Sequence, residues 1–459
     1  MTIDLRHPLP GRRPLVMGAG RSGLAAARLL VRHGVAVRVC DARGGAALED
    51  SARDLRGLGV EVQLGADGPS QLEGRDFVIW SPGIALTHPL AVAAQQAGIP
   101  ILSELELGYL ASQAPLVCVT GTNGKSTTTD LIGALVRAAG REVEVCGNIG
   151  RALCEVAERV GPAGLLVTEV SSFQLETVQR LKPFIAVWLN LTPDHLDRHG
   201  DFASYGAIKR RLFERQDQDD YAVWNADDPE VLRHRAGAGE PLEFSSRRAV
   251  GAGAYAEGTD IVLAWRGGRE RLMAARDLQL LGRHNLMNVL AALAAILPLE
   301  IAPPTLRAAL GRYAGLEHRL EPVATLDRVR FVNDSKATNL DSLRVALESF
   351  DEPVVLIAGG RDKGQDFAPA RALAASKVKT LVLIGEGADR IAGAWAGVPM
   401  LRAPSLAEAV RLAYAAARPS GTVLLSPGCA SFDMFEDYED RGRQFKAEVQ
   451  RLKREEALA

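Results

Sequence analysis

The sequence predicts an α/β chain of three consecutive blocks, each built on a mostly parallel sheet. Short apolar runs rich in Val, Leu and Ile alternate with longer, Ala-rich amphipathic runs, which is the pattern of βαβ units. Glycine-rich turns follow several of the strand-like runs, at the edge where parallel sheets bind ligands. The 459 residues are 47 % hydrophobic and 24 % charged. That suits a globular protein of roughly two to four domains, each with a sizeable core.

The first block opens with a strand at 15–17, a glycine turn at 18–23, a helix to His33 and a strand at 36–40 that runs into Asp41. Further strands fall at 60–64 and 77–80. The second block starts near Pro115 with a strand at 116–119. It continues through strands at 165–170 and 185–190 to a helix at 285–297. The third has strands at 329–332, 354–358, 380–384 and 422–425, separated by helical runs. Junctions near Pro100 and Glu317 divide the chain into 1–104, 105–316 and 317–459.

Composition narrows the function. The net charge is −2 and no long basic run occurs, so neither a nucleic acid nor an anionic membrane is indicated as partner. The five cysteines, Cys40, Cys118, Cys146, Cys154 and Cys429, match neither a disulfide framework nor a zinc site. They point to a reducing compartment. The N-terminal stretch 1–14 lacks the apolar run of a signal peptide. The longest apolar stretch, 286–302, is interrupted by Asn288, Pro298 and Glu300 and is too short to span a bilayer. A cytoplasmic enzyme is expected.

The most specific motif is Thr120-Gly121-Thr122-Asn123-Gly124-Lys125-Ser126, between an apolar strand and an amphipathic helix. Backbone N–H groups of such a loop stabilise phosphate oxygens at a helix N-terminus. Lys125 would bridge the outer phosphates, and the Ser126 hydroxyl would hold Mg²⁺. The first glycine of the longer phosphate-loop formula is replaced by Val119. Glu169 ends a buried strand and suits a hard cation, though an ordinary strand-end acid reads the same way. His195, after the next strand, is either a second metal ligand or a solvated loop histidine. Lys209 lies in a run with Arg210 and Arg211 that could be no more than a solvated helix face. Asn285 and Asn288 share a helix face, for nucleotide recognition or, at Asn285, for an N-cap.

Gly18-Ala19-Gly20-Arg21-Ser22-Gly23, with Asp41 eighteen residues on, fits a nucleotide diphosphate of several kinds. In the third block, Asn333 to Asn339, Gly359 to Gly364 and Ser426 to Asp433 each follow a strand. They offer Lys336, Lys363 and the hydroxyls of Thr338 and Ser431, which suit a dicarboxylate. Cys429 has no histidine nearby in sequence and reads as structural.

Taken together, Gly121 to Ser126, Glu169 to Glu176, Asp194-His195 and His284-Asn285 resemble the Mur ligases, which add amino acids to the UDP-N-acetylmuramoyl precursor of peptidoglycan. Ser81 to Leu86, Asn333 to Asn339 and Leu424 to Asp433 are similar to the branch that joins D-glutamate to UDP-N-acetylmuramoyl-L-alanine. The likeness runs from Gly18 to about Phe445. It implies a Rossmann-like UDP-binding domain at 1–104, a central ATPase at 105–316 and a Rossmann-like amino-acid-binding domain at 317–459. It implies a monomeric enzyme of cell-wall synthesis, and thereby of cell shape and division, that uses ATP and Mg²⁺ on small-molecule substrates.

The resemblance also implies roles. Gly18, Ser22, Gly23, Asp41, Arg43, Ser81 and Asn148 would contact the UDP precursor. Gly121, Thr122, Asn123, Gly124, Lys125, Ser126 and Thr127, with Asn285, Arg319 and Asp334, would bind ATP. Ser126, Glu169, His195 and a carbamylated Lys209 would serve the metal, with Lys125, His195 and Lys209 catalytic. Lys336, Thr338, Lys363, Ser431, Phe432 and Tyr438 would hold D-glutamate. Ala42 and Tyr438 depart from the residues common in the family, Thr and Phe.

Other readings compete. A folylpolyglutamate synthase would carry its phosphate loop nearer the N-terminus. A ligase for L-glutamate shares the acceptor. An NAD-dependent oxidoreductase leaves the phosphate loop and the third block without a task. A non-catalytic scaffold would be expected to have lost Lys125 or the metal ligands.

Overall fold

The computed structural model describes residues 9, 11–280, 282–362 and 364–458. Most of the N-terminal stretch read above, and Lys363, lie outside the described residues. The chain forms two compact units. One comprises Met1–Asp277 and Leu286–Gly311, the other Leu278–Asn285 and Arg312–Ala459.

The first unit holds two sheets. In the first, β1 (Pro14–Met17), β2 (Arg38–Asp41), β3 (Glu61–Leu64), β4 (Phe77–Trp80) and β5 (Ile101–Ser103) are all parallel, in the order β3-β2-β1-β4-β5. Alternate residues feed opposite faces. Val16, Val39 and Ile79 pack into one core, and Leu15, Met17, Val78 and Trp80 into another. Both faces are covered, so these strands read as continuous apolar runs.

The second sheet comprises β6 (Leu116–Thr120), β7 (Val143–Gly147), β8 (Leu165–Glu169), β9 (Ile185–Trp188), β10 (Tyr221–Asn225), β11 (Glu240–Ser245), β12 (Gly253–Glu257), β13 (Asp260–Trp265) and β14 (Gly268–Ala274). Their order is β14-β13-β12-β11-β10-β9-β6-β8-β7. Strands β7 to β12 pair in parallel, while β12, β13 and β14 form an antiparallel meander. The meander was not expected. Its second turn puts Arg266 and Gly267 at φ 50° and 78°, as a tight hairpin of primed type requires.

Helix Glu104–Ala111 is buried throughout. Its Glu104 accepts the N–H of Cys154 at 2.6 Å. Its Glu106 accepts those of Gln179, Arg180 and Leu181 at 3.1, 2.7 and 3.1 Å. Burial pushes both carboxyls up, against these donors. Three backbone donors on one carboxylate make a rigid clamp between the helix and the segment before β9.

The second unit holds β15 (Glu321–Leu326), β16 (Val329–Asn333), β17 (Val354–Gly359), β18 (Val378–Ile384), β19 (Met400–Arg402) and β20 (Gly421–Leu425), in the order β15-β16-β20-β17-β18-β19. Only β15, on the edge, is antiparallel. Leu356, Leu381 and Leu424 face one core, and Ile357, Val382 and Leu425 the other. Where sequence gave four strand runs here, β15 and β19 are additions. The fold is the α/β architecture expected, with three sheets.

Candidate active site

In the first sheet the chain steps outward from β1 to β3, then returns to the other side of β1 for β4 and β5. The crevice at that switch point is where such sheets bind ligands. A cavity of about 620 Å³ opens there, lined by Gly18, Ser22, Asp41, Arg43, Ser81 and neighbours. Two glycines of the turn after β1 leave no room for a side chain. At Gly18 (φ 99°) a Cβ would lie 2.4 Å from Ser81 Oγ, and at Gly23 it would lie 1.8 Å from the Gly18 carbonyl oxygen. Asp41 is buried. It accepts the N–H of Ala19 at 2.8 Å, that of Arg43 at 2.8 Å, and the Arg43 guanidinium at 3.1 Å. Burial alone would raise the Asp41 carboxyl, but Arg43 and the two N–H donors outweigh it and hold it below the usual range.

Asn148 belongs to a loop that reaches this crevice. Arg21, in the glycine turn, donates to the carbonyls of Gly150 at 2.6 Å and Asn148 at 3.3 Å. Asn148 Nδ2 donates to Glu169 Oε1 at 2.7 Å. The glycine turn is therefore two hydrogen bonds away from the strand-end carboxylate.

The phosphate loop leaves β6, which lies between β8 and β9. Its glycines are obligatory. Gly121 and Gly124 have φ of 151° and 84°, and a Cβ would meet Leu189 at 2.9 Å and the Asn288 amide oxygen at 2.3 Å. Asn190, at the end of the β9 strand run, fixes the loop. Its Oδ1 accepts from Thr122 N at 3.1 Å and Asn123 N at 2.8 Å, and its Nδ2 donates to the Asn123 carbonyl. Sequence reasoning gave Asn190 no role. The signal was there, since an Asn beyond a strand can satisfy an adjacent loop. Lys125 Nζ donates to the carbonyls of Gly121 at 3.0 Å and Thr122 at 2.7 Å. Ser126 and Thr127 are buried at the head of helix Lys125–Ala138.

Lys209 is no solvated residue. It is 1 % exposed and donates to the Gly121 carbonyl at 2.9 Å. Its Nζ sits 4.7 Å from the centre of the Tyr205 ring, and the Tyr205 hydroxyl is 3.4 Å from Thr122 Oγ1. Burial, with Lys125 nearby, pushes its ammonium well below the ordinary lysine value, against the pull of Asp194 and Glu169. Four charged groups thus converge on one place: Lys125, Lys209, Glu169 and Asp194. Glu169 is 2 % exposed. Its Oε2 is buried and has no hydrogen-bond partner among the described residues. A buried carboxylate oxygen without a donor is what a hard cation satisfies, so the residues present fit Mg²⁺.

His195 is less constrained. It adopts a left-handed φ of 53°, its side chain is 45 % exposed beside Asp194, and its ring centre lies 4.7 Å from Phe173 and 6.4 Å from Tyr205. Helix Arg283–Ile296 begins before Asn285, so Asn285 is not its cap. Asn285 and Asn288 are both buried.

In the second unit, His318 and Leu320 flank Arg319 with φ of 65° and 42°, a strained backbone that the surroundings impose. The Leu320 N–H donates to Asp334 Oδ1 at 3.2 Å, and Ser426 Oγ to Asp334 Oδ2 at 2.8 Å. Burial pushes the Asp334 carboxyl up to about 7 despite these donors and the nearby Arg319 and Arg441. Lys336 Nζ lies 5.2 Å from the Tyr438 ring centre and 3.4 Å from its hydroxyl. Ser431 is buried, while Phe432 is 59 % exposed. Thr338 follows Lys336 in the same turn, its N–H bonded to the Lys336 carbonyl. Cys429 is buried and its thiol is pushed up to about 12 by burial, in line with a structural role.

Comparison with known proteins covers the same ground. Residues 12–103 match the Mur ligase MurD-like N-terminal domain, 119–296 the Mur ligase middle domain, and 318–429 the Mur ligase glutamate ligase domain. The chain is 46 % identical over 447 residues to a UDP-N-acetylmuramoylalanine–D-glutamate ligase of Pelotomaculum thermopropionicum, covering 96 % of this chain and 98 % of that protein. It is 41 % identical over 453 residues to a protein of the same name from Caldanaerobacter subterraneus, covering 97 % and 100 %. Among solved structures, UDP-N-acetylmuramate-alanine ligase MurC of Thermotoga maritima superposes with a TM-score of 0.59 at 18 % identity, covering 96 % of this chain and 99 % of that one. That likeness speaks for the fold.

Proposed function

The chain belongs to the Mur ligase family, and from that premise we propose that it joins D-glutamate to UDP-N-acetylmuramoyl-L-alanine, converting ATP to ADP and phosphate in peptidoglycan precursor synthesis. Segment 1–104 binds the UDP precursor, 105–316 the ATP, and 317–459 the amino acid. The observation that carries this reading is the cluster of half-buried Lys125 with buried Lys209 and Glu169 at the phosphate loop. It handles a triphosphate and a cation, tasks that neither a dehydrogenase nor a scaffold has.

A carboxylate is a poor electrophile. The L-alanine carboxylate of the precursor attacks the γ-phosphorus of ATP, ADP leaves, and an acyl phosphate forms. The D-glutamate amine then attacks the acyl carbon, gives up a proton and expels phosphate, leaving an amide. Lys125 neutralises the outer phosphates as charge develops on the transferring group. Glu169 and Ser126 hold Mg²⁺, with His195 as a further ligand; the ion supplies Lewis-acid stabilisation of the phosphates. Burial disfavours the Lys209 ammonium, so its amine would react with CO₂, losing a proton, and the carbamate would supply a further carboxylate for the cation. Asn285, Arg319 and Asp334 serve the nucleotide. Lys336, Thr338, Lys363, Ser431, Phe432 and Tyr438 hold the amino acid, with the lysines on its carboxylates.

All five cysteines are free and buried, and no helix among the described residues is long and apolar enough to cross a membrane. The free thiols fit a reducing, cytoplasmic compartment, and action as a monomer on small molecules completes the proposal. Phosphate release in the presence of the precursor, with D-glutamate, L-glutamate and other amino acids in turn, tests the assignment. Turnover with D-glutamate is expected; turnover only with another amino acid overturns it.

A further inference from the structure

Helix Tyr438–Leu458 is strongly charged, and most of its arginines face solvent; the Arg443 side chain is 54 % exposed. Arg441, in its first turn, is fully buried. Its guanidinium donates through Nε to Ser335 Oγ at 3.0 Å, through Nη2 to the Ser335 carbonyl at 2.8 Å, and through Nη1 to the Cys429 carbonyl at 3.1 Å. None of these acceptors is a carboxylate. Burial lowers the group to about 10, so it stays charged at neutral pH. A buried cation held by carbonyls and a hydroxyl is a costly way to stabilise a fold, so a geometric task is the better explanation.

The three acceptors belong to two strand-end segments. Ser335 lies in the segment after β16, beside Lys336. Cys429 lies in the segment after β20, two residues before Ser431. Ser335 Oγ also donates to the Tyr438 carbonyl at 2.8 Å, and Tyr438 lies against Lys336. The segment after β17 is zipped on as well. Arg361 and Ala430 exchange two backbone hydrogen bonds at 2.9 and 3.1 Å. At Gly360 a Cβ would lie 2.3 Å from the Ala430 carbonyl oxygen and 3.3 Å from Arg441 Nη1.

We infer that Arg441 is a positioning residue for the amino-acid substrate: its planar fork fixes the spacing of Lys336 from Ser431, and so the span across which a dicarboxylate is held. This rests on the reading that these residues bind the amino acid. Arg441 acts through Ser335 and Cys429 and is given no substrate contact.

The test is steady-state kinetics of the full chain, with each of the three substrates varied in turn, for wild type, Arg441→Lys, Arg441→Met and Ser335→Ala. Thermal unfolding shows which variants fold. Lysine keeps the charge but not the fork. Displacement of a binding group by about 1 Å can cost on the order of 100-fold. Arg441→Lys is therefore expected to raise the KM for D-glutamate by about 100-fold, and Ser335→Ala by about 10-fold. In both, the KM for ATP and for the UDP precursor should stay within about 2-fold. A purely structural arginine would lower the melting temperature and the active fraction and leave every KM in place. Folded variants with an unchanged D-glutamate KM, or with all three KM values raised alike, overturn the inference. Should neither Arg441 variant fold, Ser335→Ala decides alone. A wild type that turns over a different amino acid sinks the functional reading instead, and the same KM split is then measured with that amino acid. A wild type that accepts no amino acid overturns both.

Discussion

The phosphate loop of the first unit and the lysine-bearing turn of the second both follow a β-strand, yet they are held in different ways. The loop at 121–125 is closed in part by its own lysine and in part by the residues that follow β9. Lys125 folds back on the carbonyls of Gly121 and Thr122, and one side chain two residues beyond β9, Asn190, satisfies two of the loop's N–H groups. The turn at 335–338 depends on Arg441, 106 residues downstream. A compact loop can be carried by a short motif that tolerates little change, because its glycines face Leu189 and Asn288. A site assembled from several strand ends spreads its requirements over residues that look ordinary in sequence. The phosphate chemistry should therefore fail all at once on single substitutions, whereas the amino-acid site should fail by degrees.

The largest effect expected is at Lys125. In the proposed reaction Lys125→Ala would remove the charge set against the transferring phosphoryl group, a loss of about 10²–10³-fold or more in turnover. The crevice at Gly18 and Asp41 is built from other segments, so calorimetric titration of the UDP precursor should give unchanged affinity. Retained turnover would break the contrast, since the loop would then be tolerant too.

Lys209 sharpens it. Burial places the folded-state value below the ordinary lysine value, so between the two the unfolded chain binds the extra proton. Stability of the first unit therefore rises with pH from the folded value up to about 10.5. Lys209→Met should abolish that rise and be more stable than wild type near neutral pH in CO₂-free buffer. Hydrogen-exchange protection of Leu116–Thr120, corrected for intrinsic rates, reads this locally. An equal pH slope in the variant would mean that another group is responsible.

The two regions were unequally legible beforehand. Gly121, Gly124, Lys125 and Ser126 could be read because one contiguous motif must satisfy strand end, turn and helix start together. Glu169 was legible as a strand-end acid, although only the structure shows its unpartnered Oε2. Lys209 was not legible from local pattern, because its burial comes from Tyr205 and the β6 strand end. The meander at β12 to β14 and the edge strand β15 were missed for a similar reason. Their turns use Arg266-Gly267 and Asp327-Arg328, and the latter pair adopts φ of 45° and 66° without a glycine. Arg441 could not be told from Arg443, since helical spacing in a charged helix does not say which arginine meets a buried carbonyl.

The smallest effect expected separates the units by sign. Asp334 is raised from 3.8 to about 7 by burial. Between those values the folded chain holds a proton that the unfolded chain has lost, so stability of the second unit falls as pH rises from about 4 to 7. The slope is at most about 1.4 kcal/mol per pH unit, the value of one proton. Ser426 and Leu320 hold the folded value down, so the window is narrower than burial alone would make it. Asp334→Asn keeps an acceptor for the Leu320 N–H, lets the Ser426 hydroxyl accept from its NH₂, and cannot ionise, so its curve should be flat over that range. Exchange protection of Val329–Asn333 and Gly421–Leu425 measures it. Opposite pH slopes at Leu116–Thr120 and at these two strands would show that each buried group governs its own unit. A common slope in both would mean that the units unfold as one, and the contrast drawn from their construction would not extend to their stability.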